Sequence, residues 1–243
     1  MAENSACPVT IRAVVFDFDG VLAETLPSHY AAWREVLADV NLSPTDMTIR
    51  LNEGQPTYKI AQALFSEKGI VLSEERARSF AEKKNSIFQS NNRARPYPGM
   101  HELLRQLKPH LKIGLCSGTT WENIQSVLSA EMLDFFDAIV TDGDFERPKP
   151  DPEPYVVAAR KLGLAPEGCL AVENAPLGIR AAKSAHMTCI GLASTLEPEF
   201  LAGADRLCAS HEELLQAIKS ITGTSCRTPD GPLPKTTESE WPG

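Results

Sequence analysis

The sequence predicts an α/β fold, with a three-layer core around a parallel sheet and a small inserted α-helical unit. From residue 99 onward, short apolar runs alternate with segments of helical period, which is typical of consecutive βαβ units and therefore of a parallel sheet. Residues 25–95 instead contain three segments of helical period and no convincing strand. With 243 residues, 42% of them hydrophobic, the chain is long enough for one large core and a smaller second unit.

The expected elements follow in a regular order. The first strand is the apolar run that begins at Ala13 and ends before Asp17. The inserted helices are expected at 28–39, 57–68 and 73–91, where apolar residues recur with helical spacing. The remaining pattern predicts strands at 111–116, 138–141, 169–172 and 187–192, and helices at 100–107, 120–128, 153–162, 177–184 and 211–221.

Changes in composition set the expected domain limits. The Pro-Tyr-Pro-Gly segment 96–99 ends the helical insert, and residues 23–26 form the matching entry link. We therefore expect an α/β core of residues 9–24 and 96–221, with a helical unit of residues 25–95. Residues 222–243 are rich in Pro, Thr, Ser, Glu and Gly, which predicts a disordered C-terminal tail.

Two carboxylates at the end of the first strand are the strongest indication of a site. Asp17 and Asp19 are two residues apart, so strand alternation turns both to one face. The C-terminal ends of parallel strands are where open α/β folds build their sites, and paired carboxylates suit a hard cation and an anionic substrate. The alternative is a hairpin turn at Asp19-Gly20. The following segment lacks strand alternation and predicts a helix, which favours the site.

Three later segments extend this pattern in order: 112–117 ends in Ser117, 147–152 contains Lys149, and 170–178 contains an acidic residue followed by an amide. Together with the Asp-x-Asp-Gly-Val segment 17–21, the set resembles the four motifs of the haloacid dehalogenase superfamily of phosphohydrolases. The placement of the insert resembles the branch of β-phosphoglucomutase and phosphoglycolate phosphatase. The resemblance covers nearly all of 14–192 and implies a Rossmann-like core with a small helical cap, the cap being matched more by placement than by residues.

The resemblance also implies roles for individual residues. Asp17 would be the nucleophile that forms an aspartyl-phosphate. Asp19 would protonate the leaving oxygen and then deprotonate water, for which we expect a raised pKa. The implied phosphate-binding residues are Ser117, Gly118, Lys149 and, from the cap, His29.

Mg²⁺ is the implied cofactor, with Asp17, Asp19, Glu173 and Asn174 as its expected ligands. Most members of the branch have Glu-Asp where this chain has Glu173-Asn174. An amide oxygen can still bind Mg²⁺, but the site has one negative charge fewer. We therefore expect weaker metal binding unless Glu173 compensates, and either residue could be the direct ligand.

Each assignment has a structural alternative. Ser117 could cap a helix, and Glu173 with Asn174 could cap the helix that follows them. Lys149 could be a solvated residue before a helix, and His29 could lie on a helix surface. The order of the four motifs favours the catalytic interpretation.

The predicted function is Mg²⁺-dependent hydrolysis of a small phosphomonoester, such as a sugar phosphate or a phosphoglycolate-like metabolite. The mutase of this branch uses cap Arg and Lys residues on a second phosphate, whereas the corresponding loop 51–57 lacks Arg and contains Glu53. This disfavours the alternative of a β-phosphoglucomutase-like phosphomutase. A catalytically silent phosphometabolite-binding protein is a further alternative, motivated by Asn174.

The composition of the chain limits the classes of partner that it is expected to bind. The net charge of −8 argues against a nucleic-acid surface, and no apolar run is long enough to span a bilayer. The six cysteines have no Cys-x-x-Cys spacing and are expected to be buried and reduced. We expect a cytoplasmic protein that binds a small phosphorylated metabolite, without nucleic-acid or membrane partners, as a monomer or weak homodimer.

Overall fold

The computed structural model describes residues 10–91 and 93–223 of the chain. Its strands are β1 (Ala13–Phe16), β2 (Ala23–Glu24), β3 (Arg95–Pro96), β4 (Lys112–Cys116), β5 (Ala138–Val140), β6 (Cys169–Glu173), β7 (Thr188–Leu192) and β8 (Arg206–Cys208). Six of them form one sheet in the order β5-β4-β1-β6-β7-β8, with every pairing parallel. The short strands β2 and β3 pair antiparallel as a separate ribbon.

Ten α-helices accompany these strands within the described residues. They are α1 (Leu26–Ala38), α2 (Asp46–Leu51), α3 (Thr57–Ser66), α4 (Glu74–Asn91), α5 (Met100–Leu107), α6 (Trp121–Gln125), α7 (Ala130–Leu133), α8 (Glu153–Lys161), α9 (Pro176–Ser184) and α10 (His211–Thr222). Local sequence sets several ends: α9 starts at Pro176, whose fixed φ suits a first turn, and α10 stops at Gly223, with φ 69°.

The main sheet is buried on both faces. Val14 and Phe16 point into an apolar cluster with α5, α6, α7 and α10. Ala13 and Val15, on the alternate positions of β1, pack instead in a cluster with α8 and α9. Strands buried on both faces read as continuous apolar runs, which is the pattern found in the sequence. The predicted three-layer α/β fold is confirmed.

Helices α1 to α4 pack around an apolar cluster of their own, away from the sheet. Trp33 and Leu37 of α1, Ile49 of α2 and Phe65 of α3 are its largest buried members. The β2–β3 ribbon, with Ala23 opposite Pro96, places the two chain connections to this helical insert side by side. The exact limits of 25–95 for the insert stay a prediction.

Several short elements were absent from the sequence-based prediction. The statement that 25–95 holds no strand is wrong at Arg95, which belongs to β3, and helices α2 and α7 and strand β8 were missed. At six, four and three residues, these elements are too short for periodicity to identify. Helix α6 ends at Gln125 rather than residue 128.

The predicted tail lies outside the described residues except at its start, where Thr222 is the last residue of α10. Cys7 and Cys226 are outside them as well, whereas the other four cysteines are buried free thiols. No helix among the described residues is both long and apolar enough to cross a bilayer.

Candidate active site

The motif residues lie at the C-terminal edge of the three central strands. Asp17 follows β1 directly, Ser117 follows β4, and Glu173 ends β6. Because β1 pairs with both β4 and β6, these three strand ends are adjacent. Lys149 reaches the same edge from the loop that precedes α8, and its side chain is 1% exposed. The alternative of a solvated Lys149 is therefore wrong.

Lys149 joins the two buried carboxylates. Its Nζ lies 2.7 Å from Asp17 Oδ1, 2.7 Å from Glu173 Oε1 and 3.1 Å from the carbonyl oxygen of Cys116. Burial opposes the ammonium charge, but the charges of Asp17 and Glu173 outweigh it and raise the pKa of Lys149 above its usual value. Tyr155 donates its hydroxyl to Glu173 Oε1 at 2.6 Å. The hydrogen bonds from Lys149 and Tyr155 fix the Glu173 carboxylate beside Lys149.

Asp17 keeps one carboxylate oxygen free. Oδ1 accepts from Lys149, whereas Oδ2 is buried and has no partner among the described residues. Burial raises the pKa of Asp17 to about 8, against the lowering effect of Lys149, and the charges of Glu173 and Asp19 raise it further. An unpartnered buried oxygen is costly, so a bound group that supplies a cation or an electrophile at Oδ2 would be stabilised there.

Asp19 is held by His29, and not in the way expected. His29 Nε2 lies 2.8 Å from Asp19 Oδ1, and Lys84 Nζ lies 2.6 Å from His29 Nδ1. Lys84 can only donate, so we assign the His29 proton to Nε2. Burial raises the pKa of Asp19, but its contact with His29 and the charge of Lys84 outweigh this effect and lower the pKa. The expected raised pKa is contradicted.

His29 is fixed by its surroundings. Its ring stacks on Phe88 of α4, with centroids 4.3 Å apart and planes 13° from parallel. Burial, followed by the charge of Lys84, lowers the pKa of His29, and burial lowers that of Lys84 to about 7. The alternative of a surface His is wrong. His29 touches Asp19 rather than Ser117 or Gly118.

The loop after β4 is held close to the helical insert. Ser117 is fully buried, and its Oγ accepts from the backbone N–H of Thr119 at 3.1 Å. The helix cap of α6 is Thr120, so Ser117 does not cap it. A Cβ on Gly118 would stand 2.3 Å from the carbonyl oxygen of Gly54, between α2 and α3. Only glycine allows this approach of the insert backbone.

Asn174 has a defined orientation. Its Nδ2 donates to Glu53 Oε2 at 3.0 Å and to Thr195 Oγ1 at 2.9 Å, which leaves Oδ1 buried and without a partner in the described residues. A Cβ on Gly20 would stand 2.2 Å from this Nδ2, so the loop after Asp19 contacts Asn174 closely. Helix α9 has no side-chain cap, so the capping alternative for this segment is not what the structure shows.

These donors fit a magnesium ion. Asp17 Oδ2 and Asn174 Oδ1 are hard oxygens, buried and unpartnered, as Mg²⁺ ligands would be in its absence. Glu173, by contrast, has Oε1 engaged by Lys149 and Tyr155, and Oε2 accepts from the backbone N–H of Asn174 at 3.2 Å. Among the described residues no three His, Cys, Asp or Glu side chains are grouped for a metal, so amide and backbone oxygens would have to contribute.

Comparison with known proteins identifies the family. The model of the haloacid dehalogenase-like hydrolases matches residues 11–186. The chain belongs to this family. It is 32% identical to the β-phosphoglucomutase of Bacillus subtilis over 75% of this chain and 83% of that protein. It is 29% identical to the fructose-1-phosphate phosphatase of Escherichia coli, over 73% of this chain and 94% of that one.

Solved structures agree. The crystal structure of β-phosphoglucomutase from Clostridium difficile superposes with a TM-score of 0.75 at 29% identity, covering 88% of this chain and 97% of that one. The predicted family and the prediction of a haloacid dehalogenase-like enzyme are confirmed. Membership of this enzyme family argues against the alternative of a catalytically silent binding protein.

The helical insert covers the edge of the sheet where Asp17, Ser117 and Glu173 lie, which is the candidate catalytic edge of this haloacid dehalogenase-like hydrolase. A cavity of about 30 Å³ remains between insert and sheet, which is room for a few water molecules at most. Its lining combines acidic, basic and apolar side chains: Asp19, His29, Trp33, Ile49, Glu53, Thr57, Ile60, Lys84 and Thr119. A phosphorylated metabolite is far larger, so the insert must move away from the edge to admit one.

Four residues of this site were not recognised from the sequence in their present roles. Lys84, Tyr155 and Thr195 were not identified, and Glu53 was noted only for its charge. Lys84 left a signal, because it is a charged residue at a buried position of α4, one turn before Phe88. Tyr155 and Thr195 are ordinary positions in a helix and a loop, and nothing in the sequence distinguishes them.

Proposed function

We propose that this chain is a Mg²⁺-dependent phosphatase that hydrolyses a small phosphomonoester, a sugar phosphate or phosphoglycolate-like metabolite, through an aspartyl-phosphate. The observation that carries the proposal is the state of Asp17. Its carboxylate is buried, one oxygen is bound by the Lys149 ammonium, and the other is unpartnered at the strand edge shared with Ser117. This arrangement supports nucleophilic attack by the Asp17 carboxylate.

In the first half-reaction, the Asp17 carboxylate attacks phosphorus and the ester oxygen leaves with a proton from Asp19. In the second, Asp19 takes a proton from water, the hydroxide attacks phosphorus, and Asp17 is released with inorganic phosphate. Atoms and charges return to the starting state. The His29 contact fixes the orientation of Asp19, and its lowered pKa keeps Asp19 deprotonated before substrate binds, so Asp19 must take up a proton on substrate binding before it acts as the acid.

Lys149, Ser117 and Gly118 would receive the phosphoryl group. Lys149 supplies positive charge beside the attacking oxygen, and the Ser117 hydroxyl and backbone amides can donate to phosphate oxygens. Mg²⁺, when bound, would neutralise charge between Asp17 and the phosphate. Asp17, the backbone carbonyl of Asp19 and Asn174 would hold it, whereas the contacts of Glu173 favour a role in positioning Lys149.

A phosphomutase is the second candidate, favoured by the similarity to β-phosphoglucomutases. A mutase must hold a second phosphate at the far end of its substrate. Arg50, the basic residue nearest to the 51–57 loop along the chain, donates to the carbonyl oxygen of Thr195 and to Asp46. Glu53 and Lys84 of the insert both line the cavity, and Lys84 is bonded to His29. These contacts favour the phosphatase.

The test is a phosphate-release assay over a panel of phosphorylated metabolites, with and without Mg²⁺. We expect release that requires Mg²⁺ and that stops in Asp17→Asn, with intact folding confirmed by circular dichroism. Return of the phosphoryl group to another hydroxyl of the same substrate would instead identify a mutase. Metal-independent release, or full activity of Asp17→Asn, would refute the proposal.

A further inference from the structure

Glu53 is a buried acid with an unused hydrogen-bonding atom. The residue is 4% exposed and lies in the loop between α2 and α3. Its Oε2 accepts from Asn174 Nδ2 at 3.0 Å and from Thr195 Oγ1 at 2.8 Å. Its Oε1 is buried without a partner among the described residues, and the side chain lines the cavity over the catalytic edge. Leaving such an atom unpaired is costly, which points to a ligand group that pairs with it.

Other side chains that line the cavity restrict the charge of that group. His29 and Lys84 line it as well, with Lys84 Nζ on His29 Nδ1, and the Lys84 ammonium would repel a cationic substituent. A second anion would meet Asp19 and Glu53. Among the cavity-lining residues of the described chain, Lys84 is the one lysine or arginine, and it is already bonded to His29. A neutral polar group is therefore the best match.

We propose that Glu53 is the specificity-determining residue of this enzyme, and that its Oε1 binds a hydroxyl group of the leaving alcohol. A hydroxyl both donates and accepts, so it can pair with Glu53 in either protonation state. The site then selects neutral polyhydroxylated phosphomonoesters over those with a carboxylate or a second phosphate. This inference rests on the proposed phosphatase function and chooses between its substrate classes.

The experiment compares kcat/KM for mannitol phosphate, phosphoglycolate and para-nitrophenyl phosphate in the wild type and in Glu53→Leu. We expect the wild type to prefer mannitol phosphate. In Glu53→Leu, kcat/KM for mannitol phosphate should fall about 10- to 100-fold, the range expected for a hydrogen bond to a charged group. Para-nitrophenyl phosphate, which carries no hydroxyl, should lose less than mannitol phosphate, so the ratio of the two kcat/KM values should fall at least about 10-fold.

Two further variants separate selectivity from folding. Glu53→Gln keeps an acceptor for Asn174 and Thr195, so it replaces Glu53→Leu in the experiment if that variant does not fold. In it, the preference for mannitol phosphate over phosphoglycolate should fall at least about 10-fold. Glu75→Gln, an exposed acid-to-amide change on α4, is the matched control and should leave every ratio unchanged.

The outcomes are separable. Equal loss on all three substrates in a folded Glu53 variant, or a wild-type preference for phosphoglycolate, would overturn the assignment. If no compound releases phosphate from the wild type, the proposed phosphatase function fails. Calorimetric binding of mannitol phosphate and phosphoglycolate to the wild type and Glu53→Leu then decides the role of Glu53. Tighter wild-type binding of mannitol phosphate, lost in the variant, would support it, and equal binding would refute it.

Discussion

Replacing Asn174 by aspartate tests the contact between Asn174 of the core and Glu53 of the helical insert. The carboxylate would place an oxygen where Nδ2 now stands, 3.0 Å from Glu53 Oε2. Two unit charges at that separation repel by about 5 kcal/mol at an effective dielectric constant of about 20. Protonation of Glu53, whose pKa burial already raises well above its usual value, relieves part of this. We expect Asn174→Asp to lower the unfolding free energy by about 1–3 kcal/mol without metal.

The same substitution should strengthen Mg²⁺ binding, because a carboxylate binds Mg²⁺ more strongly than an amide. The stronger binding becomes measurable once the repulsion from Glu53 is removed. In the double variant with Glu53→Gln, we expect the free energy of unfolding to recover. We also expect a lower half-saturating Mg²⁺ concentration than in the wild type. Both quantities are measured by thermal and urea unfolding at a series of Mg²⁺ concentrations. The control is Asn174→Asp combined with Glu75→Gln, which should be additive. Additivity with Glu53→Gln within about 0.5 kcal/mol would refute the contact.

The remaining predictions concern the catalytic edge. Asp17→Asn should lose turnover while keeping its fold, because an amide does not attack phosphorus, and measurable activity above a trace would exclude the nucleophile role. Asp19→Ala should accumulate phosphoenzyme from an activated aryl phosphate, detected by acid quench, and equal loss on all esters without accumulation would contradict this. Lys149→Met should lose about 3–5 kcal/mol in urea unfolding, since it leaves buried carboxylates without a cation. Glu173→Gln should also lower the free energy of unfolding but leave Mg²⁺ affinity nearly unchanged. A large rise in the half-saturating Mg²⁺ concentration would show that Glu173 is a metal ligand.

Much of the fold and the catalytic edge could be predicted because the relevant signals are local. Asp17 follows an apolar run buried on both faces, and Ser117 follows another, so strand ends could be located from composition alone. In a parallel sheet all such ends meet at one edge. The order of motifs then predicts which side chains are neighbours, although 132 residues separate Lys149 from Asp17.

The contacts between the insert and the core could not be predicted in this way. Glu53 and Asn174 are 121 residues apart, and their hydrogen bond depends on how the helical insert is oriented over the sheet. No local pattern encodes that orientation. The lowered pKa of Asp19 follows from the same cause, because Lys84 and His29 come from the insert. A raised pKa was expected because a residue that both donates and accepts a proton near neutral pH requires one.

The contacts that hold the insert over the catalytic edge are largely polar, and this has an energetic consequence. Besides the Glu53 contacts, Asn123 of α6 donates to Asn85 Oδ1 at 3.2 Å and accepts from Gln89 at 3.0 Å, both on α4. Each such bond contributes only about 0.5–1.5 kcal/mol net, because water replaces it on opening. The apolar cluster of the insert consists of residues of the insert alone, so we expect it to persist on opening. Opening therefore costs a few such bonds rather than a core, which is compatible with a cavity that must expand from about 30 Å³ to admit substrate.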